Sequence, residues 1–319
     1  MTSILKNMAL GLAAIGMVAG FAGPALAQSN EIAVIVKTTN SNFWQNVNKG
    51  ASAAIAELPD YTMTFQGPAA ESMVAEEVNM VQNAVNRGVA GIVLAPSDPE
   101  ALIPSVKAAY EAGIPVVIVD SLLAEGAEDY YQAFLATDNY KAGELCAAAL
   151  IAKAGTEGKI AIMSYVAGVG SEIGRVGGFE DYIAANSNLE VVAKYYSEAQ
   201  MAKALDQTTD VLAANPDLVG IFGANEPTAV GMGRAIQQAG KAGKIVAVGF
   251  DGNADLQDMI KDGTLEAIAV QGSFQMGELG VKAIGEIIAG NTVEKFINTG
   301  VVIVTKDNIG LPEAQNVLY

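Results

Sequence analysis

Short β-branched apolar runs alternate with longer segments of helical period along almost the whole chain, and this alternation constrains the fold more than any other feature. The first runs are IAVIV from Ile32, YTMTF from Tyr61, GIVLA over 91–95 and IPVVIVD over 114–120. The last two are continuously apolar, as strands covered on both faces must be. Helices are predicted between the runs over 42–57, 72–87 and 100–111. A helix over 140–153 then opens a second series with the same grammar. Its strands are predicted at KIAIMS from Lys159, EVVAKYY from Glu190, LVGIF from Leu218 and KIVAVGFD from Lys244, with helices over 175–185, 201–213 and 228–239.

Strand–helix–strand units of this kind build parallel sheets. Each series therefore reads as one doubly wound α/β domain, a Rossmann-like sandwich. A strand over 265–270, a helix over 274–289 and VVIVT from Val301 are too few for a third domain, so they are expected to return and complete the first two. No stretch rich in Pro, Gly and Ser divides the halves. Several crossing strands suit that continuity better than a single tether.

The first 27 residues carry Lys6, an apolar run from Met8 to about Phe21, and small residues at Ala25 and Ala27. This is the pattern of a signal peptide cut after Ala27. The run is shorter than the ~20 residues a bilayer-spanning helix needs, so the mature protein is expected in the periplasm, free of the membrane. The remaining length of about 290 residues fits two compact domains. A net charge of -17 argues against nucleic acid, whose phosphates would repel such a surface. The chain has no histidine, which removes Ser-His-Asp and Cys-His catalysis and histidine-based metal sites. Its single cysteine, Cys146, cannot form an intramolecular disulfide and reads as a small core residue.

In open parallel sheets, ligands bind outside the carboxyl ends of the strands. Polar or aromatic residues follow nearly every predicted strand at that edge: Thr38 to Trp44, Asp120, the residues after Ser164, Asn225, Asp251 and Gln271. Two such edges facing each other would form a cleft between domains, the usual location of a small-ligand site. Two other stretches carry less. DGNADLQD from Asp251 lacks the ligand spacing of a calcium loop and reads as a strand end entering a capped helix. The glycines over 168–178 are followed by no Gly-Lys-Ser/Thr, and are expected to free a loop to approach a ligand.

Ordered landmarks carry a resemblance: NSNFWQNVNKGA from Asn40, APSDPEAL from Ala95, GIPVVIVD from Gly113, TDNYKAGE from Thr137, GVGSEIGRVGGF from Gly168, GANEPTAVG from Gly223 and GFDG from Gly249. The mature chain resembles the ribose-binding type of periplasmic sugar-binding proteins, the type I solute receptors of ABC importers. The resemblance implies two α/β domains joined by three crossing strands, near Ala136, Gly272 and Gly300. It divides the chain into residues 28–135 plus 272–299 and residues 136–271 plus 300–319. It also implies a small ligand, a monosaccharide or sugar alcohol, trapped by hinge closure; a monomer working with an ABC permease; no enzymatic activity and no cofactor.

Site residues follow from the same resemblance. Phe43 and Trp44 match an aromatic pair, and an aromatic face packs against the C–H side of a sugar ring. Arg175 matches the family's ligand-binding arginine, and Asp120, Asn225, Asp251 and Gln271 its polar partners. A hydroxyl both donates and accepts, so it suits a carboxylate on one side and a guanidinium or amide on the other. Asn225 serves equally as a helix cap, and Asp138 as a cap or hinge bond. Lys37 and Ser171 complete the candidate set. Lys37 stands where the family more often has a small polar residue. Ala95 replaces an asparagine, Ser121 an arginine, and Gln200 falls near an expected second-domain aromatic. These departures put ribose itself in doubt and leave another pentose or hexose, a polyol or a cyclitol. A receptor for chemotaxis or signalling shares the same chemistry. A gene regulator would need a DNA-binding N-terminus, and an enzyme a nucleophile–base pair, neither of which the sequence offers.

Overall fold

A computed structural model describes residues 29–319; the predicted signal peptide lies outside the described residues. The chain begins with β1 (Glu31–Ile35), α1 (Asn42–Ile55), β2 (Thr62–Gln66), α2 (Val74–Arg87), β3 (Gly91–Leu94), α3 (Ile103–Glu111), β4 (Val116–Val119) and β5 (Ala133–Ala136). It continues with α4 (Asn139–Ala154), β6 (Glu157–Ser164), α5 (Gly170–Asn186), β7 (Asn188–Tyr196), α6 (Met201–Ala214), β8 (Leu218–Gly223), α7 (Glu226–Gln238), β9 (Val246–Phe250), α8 (Ala254–Asp262) and β10 (Ala267–Gln271). The last elements are α9 (Ser273–Ile288), β11 (Phe296–Asn298), β12 (Val301–Thr305) and α10 (Pro312–Gln315).

The strands form two six-stranded sheets, ordered β11-β5-β4-β3-β1-β2 and β12-β10-β9-β8-β6-β7. Every pairing is parallel except that of β12 with β10, which is antiparallel. The two predicted α/β layers are therefore present, with one reversed edge strand. The chain passes between sheets three times: from β5 to β6, from β10 to β11, and from β11 to β12. The short strands β5 and β11 were not predicted. Each is only three or four residues long and pairs with the other, so their strand character comes from a neighbour distant in sequence.

The continuous apolar runs behave as their composition demands. All residues of β3 and β4 are buried, because helices cover both faces of the sheet. Separate apolar clusters fill the two sides of each sheet; Val34, Val93 and Val117 face one side of the first, Ile35, Ile92 and Ile118 the other. Helices α1 and α9 approach closely through glycine: a Cβ on Gly50 would stand 1.9 Å from the Phe274 carbonyl, and one on Gly277 1.9 Å from that of Val47. Side chains cap the helices that leave the carboxyl edge. Ser41 accepts from the Trp44 N–H, Asp138 from Lys141, Asn225 from Thr228 and Asn253 from Leu256. Asn253 confirms the capped-helix reading of the stretch after Asp251.

One predicted boundary is corrected. The glycines over 168–178 do not form a long loop, because α5 already begins at Gly170 and Arg175 lies inside it. Gly178 packs where a Cβ would fall 2.1 Å from the Tyr140 carbonyl, so it lets α4 and α5 meet. That close packing overrides the poor helix propensity of glycine.

Candidate functional site

The carboxyl edges of the two sheets face each other across a cleft. Lys37, Ser41, Phe43, Trp44, Glu71 and Asp120 line it from the first domain, and Tyr165, Ser171, Arg175, Asn225, Glu226, Pro227, Asp251 and Gln271 from the second. Nine of the ten residues proposed from sequence are thus brought to one place. The exception is Asp138, which is exposed and caps α4 through its bond to the Lys141 N–H, away from the cleft.

Asp120 and Asp251 occupy corresponding places, each one residue beyond the end of a central strand, β4 and β9. Both take positive φ, 63° and 75°. Non-glycine residues adopt this conformation at a cost, and such strain gathers at binding sites because it aims a side chain. Asp120 Oδ2 accepts from Lys37 Nζ at 2.6 Å in a buried ion pair. The same ammonium also donates to Ser121 Oγ at 2.6 Å and, across the domains, to Ser171 Oγ at 3.3 Å. A lysine has three N–H donors, so Lys37 is fully engaged within the protein. It restores, from just after β1, a cation beside the position where Ser121 lacks one.

The second domain builds its side of the cleft around Arg175, which is 2% exposed. Its guanidinium lies 3.5 Å from the Phe250 ring centroid and donates to the Ala224 carbonyl and to Asn139 Oδ1. These partners are neutral oxygens, and they leave two of its five N–H groups free to meet a ligand. Asp251 accepts from Gln271 Nε2 and from the Glu226 N–H, both at 2.9 Å. Burial raises the Asp251 pKa to about 6, with Arg175 opposing the shift. Gln271 Oε1 is buried without a protein partner.

The aromatic pair stands as expected at the start of α1. Phe43 and Trp44 meet edge to face with centroids 4.8 Å apart, and Trp44 Nε1 donates to Glu71 at 3.1 Å. Gln200 is exposed at the start of α6, and the second domain's aromatic in the lining is Tyr165 instead. Sequence reasoning missed Glu71, Glu226 and Asn139, and reached Tyr165 only as one of the residues after Ser164. Glu226 opens a helix beside Asn225, so the edge rule could have found it. Glu71 carried no such signal, because it lies in the connection after an edge strand.

Burial raises the Glu226 pKa to about 7, and the charge of Asp251 adds to the effect. Among the described residues no cluster of three or more His, Cys, Asp or Glu is arranged to hold a metal.

Residues 32–292 match the family model described as a periplasmic binding protein domain. The chain is 29% identical over 290 residues to the ribose import binding protein of Salmonella typhimurium, covering 91% of this chain and 95% of that one. It is likewise 29% identical over 287 residues to the D-allose-binding periplasmic protein of Escherichia coli, covering 86% and 92%. Among solved structures, an ABC transporter solute binding protein from Agrobacterium vitis with bound D-fucose is 71% identical, with a TM-score of 0.90, covering 91% of this chain and all of that one. A carbohydrate transporter solute binding protein from Agrobacterium radiobacter in complex with D-arabinose is 32% identical, with a TM-score of 0.87, covering 92% and 100%.

Proposed function

The chain belongs to the periplasmic binding protein domain family, and from that premise we propose that it is the sugar-binding component of an ABC importer, with a monosaccharide of the D-fucose kind as ligand. One observation carries the reading. The second domain presents unsatisfied hydrogen-bonding groups to the cleft, opposite an aromatic pair of the first. The free N–H groups of Arg175 and the unpartnered Gln271 Oε1 are a donor and an acceptor awaiting a hydroxyl. The apolar Phe43 and Trp44 suit the C–H face of the ring. The 71% identity to a protein solved with D-fucose supports that choice among sugars.

The sugar enters between open domains, residues 28–135 plus 272–299 and residues 136–271 plus 300–319. It holds the closed form through contacts that exist only when both halves meet it. The closed receptor, a periplasmic monomer, then delivers its sugar to a permease. Calorimetry of the mature protein against D-fucose, other monosaccharides, polyols and cyclitols tests this. Small-angle scattering should show compaction on adding the tightest binder. Binding of no sugar or polyol, or scattering profiles unchanged at saturation, would overturn the reading.

A further inference from the structure

One acidic side chain in the cleft has its hydrogen-bonding capacity only half used. Glu71 lies between β2 and α2 and is 6% exposed. Its Oε1 accepts from Trp44 Nε1, while among the described residues Oε2 has no hydrogen-bond partner. The nearby ammonium cannot serve it, since Lys37 already donates to Asp120, Ser121 and Ser171. Burial raises the Glu71 pKa, and the attraction of Lys37 opposes that shift. Oε2 is thus left to a donor from outside the protein, and a ligand hydroxyl supplies one.

We propose that Glu71 is a specificity-determining residue: Oε2 accepts the proton of one sugar hydroxyl while Oε1 holds the Trp44 indole against the ring. This inference rests on the sugar-binding reading above. An ionised carboxylate only accepts, so it distinguishes a hydroxyl from a hydrogen or a methyl ether at that carbon. A site built to bond a hydroxyl rejects the analogue lacking it far more strongly than an apolar wall can.

The test compares wild type, Glu71→Gln and Glu71→Ala by calorimetry against D-fucose and each of its monodeoxy derivatives. Thermal midpoints without sugar establish that the variants are folded. In wild type, one monodeoxy derivative should bind about tenfold to hundredfold more weakly than D-fucose. In Glu71→Gln, whose amide can only donate to that hydroxyl, D-fucose should weaken by a similar factor and the penalty for that derivative should shrink; in Glu71→Ala it should vanish. Glutamine keeps an oxygen for Trp44 Nε1, so the indole emission without sugar should stay as in wild type, whereas Glu71→Ala should shift it. Wild-type behaviour of Glu71→Gln toward all these sugars would overturn the proposal. So would uniform weakening with the deoxy penalty intact, which would assign Glu71 to orienting Trp44 alone. Wild type that binds no monosaccharide would instead sink the sugar-binding reading, and this inference with it.

Discussion

The Asn42 N–H, at the first turn of α1, donates across the domains to Glu226 Oε1 at 2.9 Å. The other carboxylate oxygen accepts from the Tyr319 hydroxyl at 3.0 Å. A carboxylate at a helix N-terminus is favoured by the orphan N–H groups and dipole there. This contact joins the two halves, so under the proposed hinge closure it exists only in the closed form.

Replacing Glu226 by Ala should therefore weaken sugar binding. The closed form loses a charge-assisted bond, whereas the open form loses nothing across the cleft. The loss should be about 1–3 kcal/mol, or roughly fivefold to 150-fold in affinity. Calorimetry reads the affinity, and scattering at saturating sugar should still show closure.

Arg175→Ala should weaken sugar binding and also lower the thermal midpoint of the sugar-free protein. The second effect follows because the buried Ala224 carbonyl and the half-buried Asn139 lose their donor. Each buried group left without a partner costs about 1–3 kcal/mol. A variant with unchanged affinity and melting would remove Arg175 from both roles.

Trp44 is the chain's only tryptophan and is 2% exposed in the cleft lining. Saturating sugar should change its emission, and Trp44→Ala should cost ring sugars about 0.5–1.5 kcal/mol beyond the lost apolar burial. A fluorescence titration run beside calorimetry checks this. A flat trace with a proven binder would place Trp44 outside the ligand's reach.

Stability should fall as pH rises from about 5 to about 8. Glu77 is fully buried, and burial raises its pKa to about 7 against the hydrogen bonds of Ser97. The folded state then keeps a proton that the unfolded chain has already released. The contribution is complete below the ordinary glutamate value and is lost through about pH 7. Glu77→Gln, neutral throughout, should melt higher than wild type at about pH 8 and flatten this dependence. Melting curves at both ends of the range decide it; parallel profiles for the two proteins would remove Glu77 as the cause.

The alternation of apolar runs and helical periods was enough to establish two doubly wound α/β layers, because period and polarity are local properties of a segment. The edge rule located Asp120, Asn225, Asp251 and Gln271 for the same reason, since each ends or follows a readable strand. Tertiary structure decided the rest. Lys37 meets partners 83, 84 and 134 residues away, and no local pattern encodes that meeting. Asp138 obeyed its local cap and left the cleft, whereas Glu71 entered it from a connection with no distinguishing signal. Arg175 reads as the first residue of a helix after a glycine-rich loop, yet the approach of α4 to α5 makes those glycines helical too. Hydrogen-bond partnership depends on which side chains the packed layers bring within about 3 Å, and that distance is set only after both domains have folded and closed.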